Sequence, residues 1–232
     1  MNPIAPIEPP VCGWDLPDPR QAAEGIDLIG AGADLEPGTL LAAYRSGLFP
    51  MHVELWGQQR LGWWSPDPRA VIPLDGLAVS RSLRRSVARY DVTVDTAFAD
   101  VMAACAREDD AERWIVPSIA KAYEQLHELG WAHSIEVRES GQLVGGLYGV
   151  SIGGLFAGES MFHHATDASK VALVHLVALL NRDPHPYRLL DVQWRTDHLA
   201  SMGAQAIPRP EYLSRLRRAI DTPTVDFTTP LR

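Results

Sequence analysis

The chain has 232 residues, enough for one or two domains around a substantial core. Its 46% apolar and 22% charged content is a globular mix and excludes a disordered chain. A formal charge of −8 excludes indiscriminate binding to polyphosphate, so any nucleic-acid contact must come from a local basic patch. Cys12 and Cys105 are far apart, which excludes a disulfide framework or a thiolate zinc site and fits a reducing compartment. The N-terminus has no basic n-region or apolar h-region, and no apolar run reaches about 18 residues. A cytoplasmic chain without a membrane span is expected.

In chain order, residues 1–20 are proline-rich and read as an irregular arm. A glycine-rich turn follows Asp27, and Pro37 opens a helical pattern. Leu40, Leu41, Tyr44 and Leu48 form its apolar stripe, and Gly47 and Pro50 end it. Trp56, Trp63 and Trp64 precede SPDPR (65–69), whose prolines block regular structure and place a domain boundary near residue 67. The expected division is 1–66 and 67–232. SRSLRRSVARY (80–90) predicts a helix with Ser80 as N-cap. A short strand at 91–95 and a helix at 96–107 come next, then a helix at 116–130 opened by Pro117 and stopped by Gly130.

From His133 to Phe162 the period changes to two, predicting an antiparallel meander. Residues 167–182 are apolar nearly all round, a helix buried on most sides. A strand at 187–193, a short helix at 196–204 and a last helix at 210–220 complete an α+β pattern. It comprises a small N-terminal unit beside a mixed-sheet domain.

Four features can carry chemistry. In LLDVQ, strand alternation puts Asp191 and Gln193 on one face and Leu190 and Val192 on the other. A buried acid and amide need partners; neighbouring backbone, or the helix start near Thr196, supplies them as well as a substrate does. In FAGESMF (156–162), Glu159 follows Gly158, which permits close approach to the backbone. That carboxylate suits a cationic ligand or pairs with a nearby arginine. Arg81, Arg84, Arg85 and Arg89 are spaced by three and four, either a phosphate-binding stripe or a solvated helix face. Trp114, next to Arg113, can stack on a base or fill the core.

Other patterns fail. GAGADL (30–35) has Leu35 in place of a third glycine, and GESMF lacks the closing glycine of a nucleophile elbow around Ser160. His163 and His164 are adjacent and cannot both face one metal from a regular strand. Asp109 and Asp110 lack ligand spacing. No metal, cofactor or covalent enzyme intermediate is expected.

GLFP (47–50), WWSPDPRAV (63–71), SRS (80–82), WI (114–115), HELG and AHSIEV (127–137), LVGGLYGV (143–150), GESMF (158–162), ASK and AL (168–173), and the spaced residues Asp191, Gln193, His198, Ala200, Ser201, Gly203 and Ala204 follow one another in order. Together they resemble the leucyl/phenylalanyl-tRNA–protein transferase family over residues 27 to 220. The resemblance implies a small N-terminal domain joined to an acetyltransferase-like (GNAT) domain that uses aminoacyl-tRNA instead of acyl-CoA. It carries the family's carboxylate–amide pair to Asp191 and Gln193 and its acceptor-recognising glutamate to Glu159, beside Gly158. The amino-acid pocket would include Leu147, Phe156, Met161, Leu173 and Leu180. Trp114 and Tyr44 would stand near the 3′-terminal adenosine, and the Arg81–Arg89 stripe would meet the acceptor stem. Met51 stands where the family often has Trp and offers a base a smaller, flexible surface.

The implied reaction moves leucine or phenylalanine, or methionine, from the tRNA 3′ end to an acceptor protein with N-terminal Arg or Lys. A monomer is expected, and a product read by a degradation system. An α-amine has a pKa near ~8, whereas an unperturbed Asp, near ~4, is a poor proton acceptor and an amide is not a base at all. Orientation should therefore dominate, with Asp191 polarising Gln193, Gln193 contacting the amine, and Asp191 receiving charge only in the transition state. Two rivals stand beside this reading. One is an acyl-CoA-dependent N-acetyltransferase, but QLVGGL (142–147) is its closest phosphate loop and leads into a strand. The other is a non-catalytic tRNA- or peptide-binding module, which needs neither Asp191 nor Gln193.

Overall fold

The computed structural model describes residues 5–106 and 114–228. Asp109, Asp110 and Arg113 lie outside the described residues. Proline and glycine bound the helices as their backbone chemistry requires. Helix α1 (Pro37–Ser46) begins on Pro37 and ends at Gly47, whose φ of 88° only glycine adopts freely. Helix α2 (Arg81–Val87) starts where Ser80 accepts the Leu83 N–H, helix α3 spans Phe98–Cys105, and helix α4 (Pro117–Glu128) opens on Pro117. Helix α5 (Ala168–Leu180) buries nine of its residues, matching its all-round apolar sequence. Helices α6 (Asp197–Ser201) and α7 (Arg209–Ile220) follow.

The N-terminal unit holds a three-stranded sheet that the tryptophan-rich segment did not announce. Strands β1 (Leu28–Ala31), β2 (Phe49–Leu55) and β3 (Gln58–Trp64) pair antiparallel in the order β1-β3-β2. The β2–β3 turn is Trp56-Gly57, both with positive φ. That two-residue geometry usually takes Asn-Gly, so a tryptophan hides the signal.

A seven-stranded sheet forms the rest. Its strands are β4 (Arg69–Ile72), β5 (Asp91–Val94), β6 (Ala132–Glu139), β7 (Gln142–Ile152), β8 (Leu155–His163), β9 (Leu189–Gln193) and β10 (Gln205–Ile207). The order is β10-β4-β9-β8-β7-β6-β5, and among the described residues β8–β9 is its one parallel pair. A parallel pair needs a crossover, which α5 supplies. Leu147 of β7 faces the core under α5, while Tyr148, Val150 and Ile152 face the core shared by α1, α3 and α4.

The proline-rich arm is fastened rather than loose. The Ile7 N–H donates to the Leu129 carbonyl at 2.9 Å, Trp131 Nε1 donates to the Ile7 carbonyl at 2.8 Å, and Arg45 pairs with Glu8. Among the described residues no helix is long and apolar enough to cross a membrane.

Candidate active site

Strands β8 and β9 pair only over Leu155–Ala157 and Leu189–Asp191 and then separate. At that level both strands carry an irregularity. Between β7 and β8 the register slips so that Glu159 has no partner, and between β4 and β9 it slips at Val192. An extra residue bends a strand and re-aims its side chain, and here the two unpaired residues face one split. Gln193 then has φ of 53°, a strained conformation for a side-chain-bearing residue. This breaks the simple alternation over 191–193. Asp191 and Gln193 do not share a face.

Asp191 is fully buried. Arg69 Nε donates to its Oδ1 at 2.8 Å and Arg69 Nη2 to its Oδ2 at 2.6 Å. Tyr212 Oη donates to Oδ2 at 2.9 Å, and the Gln193 backbone N–H donates to Oδ1 at 3.0 Å. The acid therefore anchors the backbone of Gln193, and the expected polarisation of the Gln193 side chain is corrected. Burial works against the charge of Arg69, but Asp191 and then Tyr212 more than offset it and hold that guanidinium above its ordinary pKa.

Glu159 sits on the other side of the split. It accepts from Tyr123 Oη at 3.1 Å and, at the long distance of 3.5 Å, from Gln193 Nε2. Tyr123 is bonded in turn to Tyr44. Burial pushes the Glu159 carboxyl up from 4.5 to about 8, with Asp191 adding to the rise while Tyr44, Tyr123 and Arg69 oppose it. Burial, then Glu159, keeps both tyrosine hydroxyls protonated far above the usual range.

Two cavities meet at this point. The larger, of about 850 Å³, is lined by the aromatic and thioether groups of Phe49, Met51, Trp114 and Trp194, with His52 and Gln59 as polar neighbours. The smaller, of about 210 Å³, is apolar, lined by Leu147, Met161, Leu173, Leu176 and Leu190 beside Gly158. Glu159, Val192, Gln193, Thr196 and Leu199 border both. One space has the size and walls for a nucleoside, the other for a single large apolar side chain.

Residues 71–217 match the model of the leucyl/phenylalanyl-tRNA protein transferase family, and residues 33–67 match that of its N-terminal domain. The chain belongs to the leucyl/phenylalanyl-tRNA protein transferase family. Relatives carrying that name include one from Aromatoleum aromaticum, 51% identical over 87% of this chain and 85% of the relative. Another, from an Anaeromyxobacter species, is 50% identical over 90% and 89%. A third, from Desulfatibacillum aliphaticivorans, is 44% identical over 96% and 94%.

Against this background the expected residues separate into groups. Gly158, Glu159, Leu147, Met161, Leu173, Trp114, Met51 and Gln193 line one or both cavities. Asp191, Phe156, Leu180 and Tyr44 line neither. Phe156 is core, packed near Phe227, and Leu180 lies in the core at the far end of α5. Tyr44 is buried beneath the site, bonded to Tyr123 and close enough to Glu159 to oppose the rise of its carboxyl. Arg81, Arg84 and Arg85 are exposed on α2, but the helix ends at Val87, so Arg89 is off that face and pairs with Glu139.

Arg69, Tyr123, Trp194 and Tyr212 also belong to the site, although no sequence motif gives them a role. Arg69 lies within SPDPR, whose prolines read as a breaker segment. A charged residue directly before an apolar strand was the available signal.

Proposed function

We propose that this protein transfers leucine or phenylalanine, or methionine, from the 3′ ester of a charged tRNA to the N-terminus of an acceptor protein. The observation that carries the reading is the meeting of an apolar cavity and an aromatic one at Glu159 and Gln193. The amino-acid side chain occupies the smaller space, beside Leu147, Met161 and Leu173. The terminal adenosine occupies the larger, against Trp114 and Met51. This sets the ester carbonyl at the junction, where Gln193 Nε2 is a donor for the oxyanion of the tetrahedral intermediate and its Oε1 is an acceptor for an N–H of the attacking amine. Asp191 serves as a positioning residue, fixing Gln193 through its backbone.

An N-terminal Arg or Lys on the acceptor fits the acidic junction at Glu159. Exposed Arg81, Arg84 and Arg85 are the groups offered to tRNA phosphates. The acetyltransferase-like reading of the larger domain is supported by a parallel pair that splits at the site with a helix crossover between its strands. A domain boundary near 66/67 is supported by the two family models, one ending at residue 67 and the other beginning at residue 71.

The test is transfer from leucyl-, phenylalanyl- and methionyl-tRNA to an Arg-starting peptide. Gln193→Ala is expected to lower the rate roughly 10²-fold while charged-tRNA binding persists, the scale of losing one donor to a developing oxyanion. A near-wild-type rate removes Gln193 from the chemistry.

A further inference from the structure

Two carboxylates stand at the β8–β9 split, and they are not equally available. Asp191 is fully buried, borders neither cavity, and receives four hydrogen bonds from Arg69, Tyr212 and the Gln193 backbone. A carboxylate has about four lone-pair sites, so a fifth proton donor finds none free. Glu159 borders both cavities, and among the described residues no cation lies within ion-pair distance of it. Its donors are Tyr123, Tyr44 and, at the long distance of 3.5 Å, Gln193 Nε2, so it is less fully engaged than Asp191 while bordering both cavities.

We propose that Glu159 is the proton acceptor of the transfer reaction and returns that proton to the departing ribose oxygen. The inference rests on the aminoacyl-transfer reading above and assigns its proton. The amine nitrogen forms a bond to the ester carbonyl carbon, and the carbonyl π electrons move to oxygen. The N–H proton passes to Glu159. When the intermediate collapses, the carbon–ribose oxygen bond breaks with its electron pair on that oxygen, which takes the proton from Glu159. Amine and ester become amide and alcohol, and no co-reactant is needed.

Three observations agree with this role. The register slip leaves Glu159 as the unpaired residue of a bulge, a placement that re-aims a strand side chain into the split. Its pKa, pushed up to about 8, makes it a stronger base toward the proton the attacking amine loses than an ordinary carboxylate, while leaving it acidic enough to protonate the departing ribose oxygen. Tyr44 and Tyr123 are held protonated and cannot compete as acceptors. Tyr44 on α1, Arg69 on β4, Tyr123 on α4 and Asp191 on β9 act on the Glu159 carboxyl, and Tyr148 on β7, Tyr212 on α7 and, across the larger cavity, His52 on β2 are the other titratable groups around it.

The experiment measures kcat and KM for an Arg-starting peptide between pH 6 and 9, at saturating charged tRNA. It uses the wild type, Glu159→Gln and Glu159→Asp. The wild-type kcat is expected to rise through a pKa near 8. Glu159→Gln should lower kcat about 10²-fold or more at every pH, leaving only the rise that the acceptor amine's own deprotonation gives. Charged-tRNA binding should change little, and peptide KM should rise because the same carboxylate faces the acceptor's basic residue. Glu159→Asp should keep the pH-dependent rise at a reduced rate. A Glu159→Gln enzyme whose kcat and pH profile match the wild type, with only KM raised, overturns the proposal and leaves recognition as the residue's role. Absence of transfer by the wild type overturns the transfer reading together with this one.

Discussion

Glu159 titrates near 4.5 when solvated and about 8 in the folded protein. Its raised folded pKa means that the folded state holds a proton the unfolded chain has lost between those two values. Its cost is absent below about pH 4.5, grows as pH rises, and is complete above about 8. Glu159→Gln removes that penalty, on the order of 3 kcal/mol at neutral pH. Thermal melts should therefore show the variant more stable than the wild type, by a margin that widens from pH 5 to pH 8. Asp191 behaves in the opposite sense. Asp191→Ala leaves the buried Arg69 guanidinium unpaired, which is expected to cost about 3–5 kcal/mol. Urea unfolding should show a lower midpoint, so a loss of activity in that variant reports the fold before it reports the chemistry.

The strand irregularities depend on close backbone approach. A Cβ at Gly149 would lie 2.2 Å from the Ala157 carbonyl oxygen and 2.5 Å from the Phe156 ring. Gly149→Val is expected to destabilise by about 1–3 kcal/mol, read in thermal melts, because overpacking displaces the bulge that aims Glu159. Transfer should fall further than the loss of folded protein explains. On α2, the exposed Arg81, Arg84 and Arg85 are the test of the phosphate stripe. Each replacement by Ala that removes a phosphate contact should lower the salt-dependence slope of charged-tRNA binding by about 0.7–0.9. Arg89→Ala should change it little, since Arg89 is engaged with Glu139.

Across the molecule, the two sheets are joined by one core and one polar chain. Leu40, Tyr44 and Trp63 of the N-terminal unit pack in the same cluster as Phe98, Tyr123 and Tyr148. Tyr44 holds Tyr123, which holds Glu159, and Arg69 Nη1 donates to the Gly47 carbonyl at 3.3 Å. Residues 67–232 made alone would expose that cluster and strand the polar groups. Such a chain is expected to lack a cooperative melt, whereas the full chain shows one in calorimetry. The N-terminal unit is thus part of the floor beneath the two cavities.

Local chemistry was readable along the chain. Pro37, Gly47, Ser80 and Pro117 set helix ends through fixed φ, permitted φ and side-chain capping, none of which needs a distant partner. The meander from His133 and the buried α5 followed from hydrophobic period alone. The ordered motifs also placed Gln193, Glu159 and the apolar pocket in one family pattern. Register and pairing were a different matter. Nothing local tells that Arg69 meets Asp191 across 122 positions, or that a slip at Val192 turns Gln193 away from its neighbouring acid. Nor does strand period place a bulge at Glu159 or show which carboxylate is walled in. Those outcomes depend on which strands lie side by side and how their backbones exchange hydrogen bonds, and only the assembled sheet fixes them.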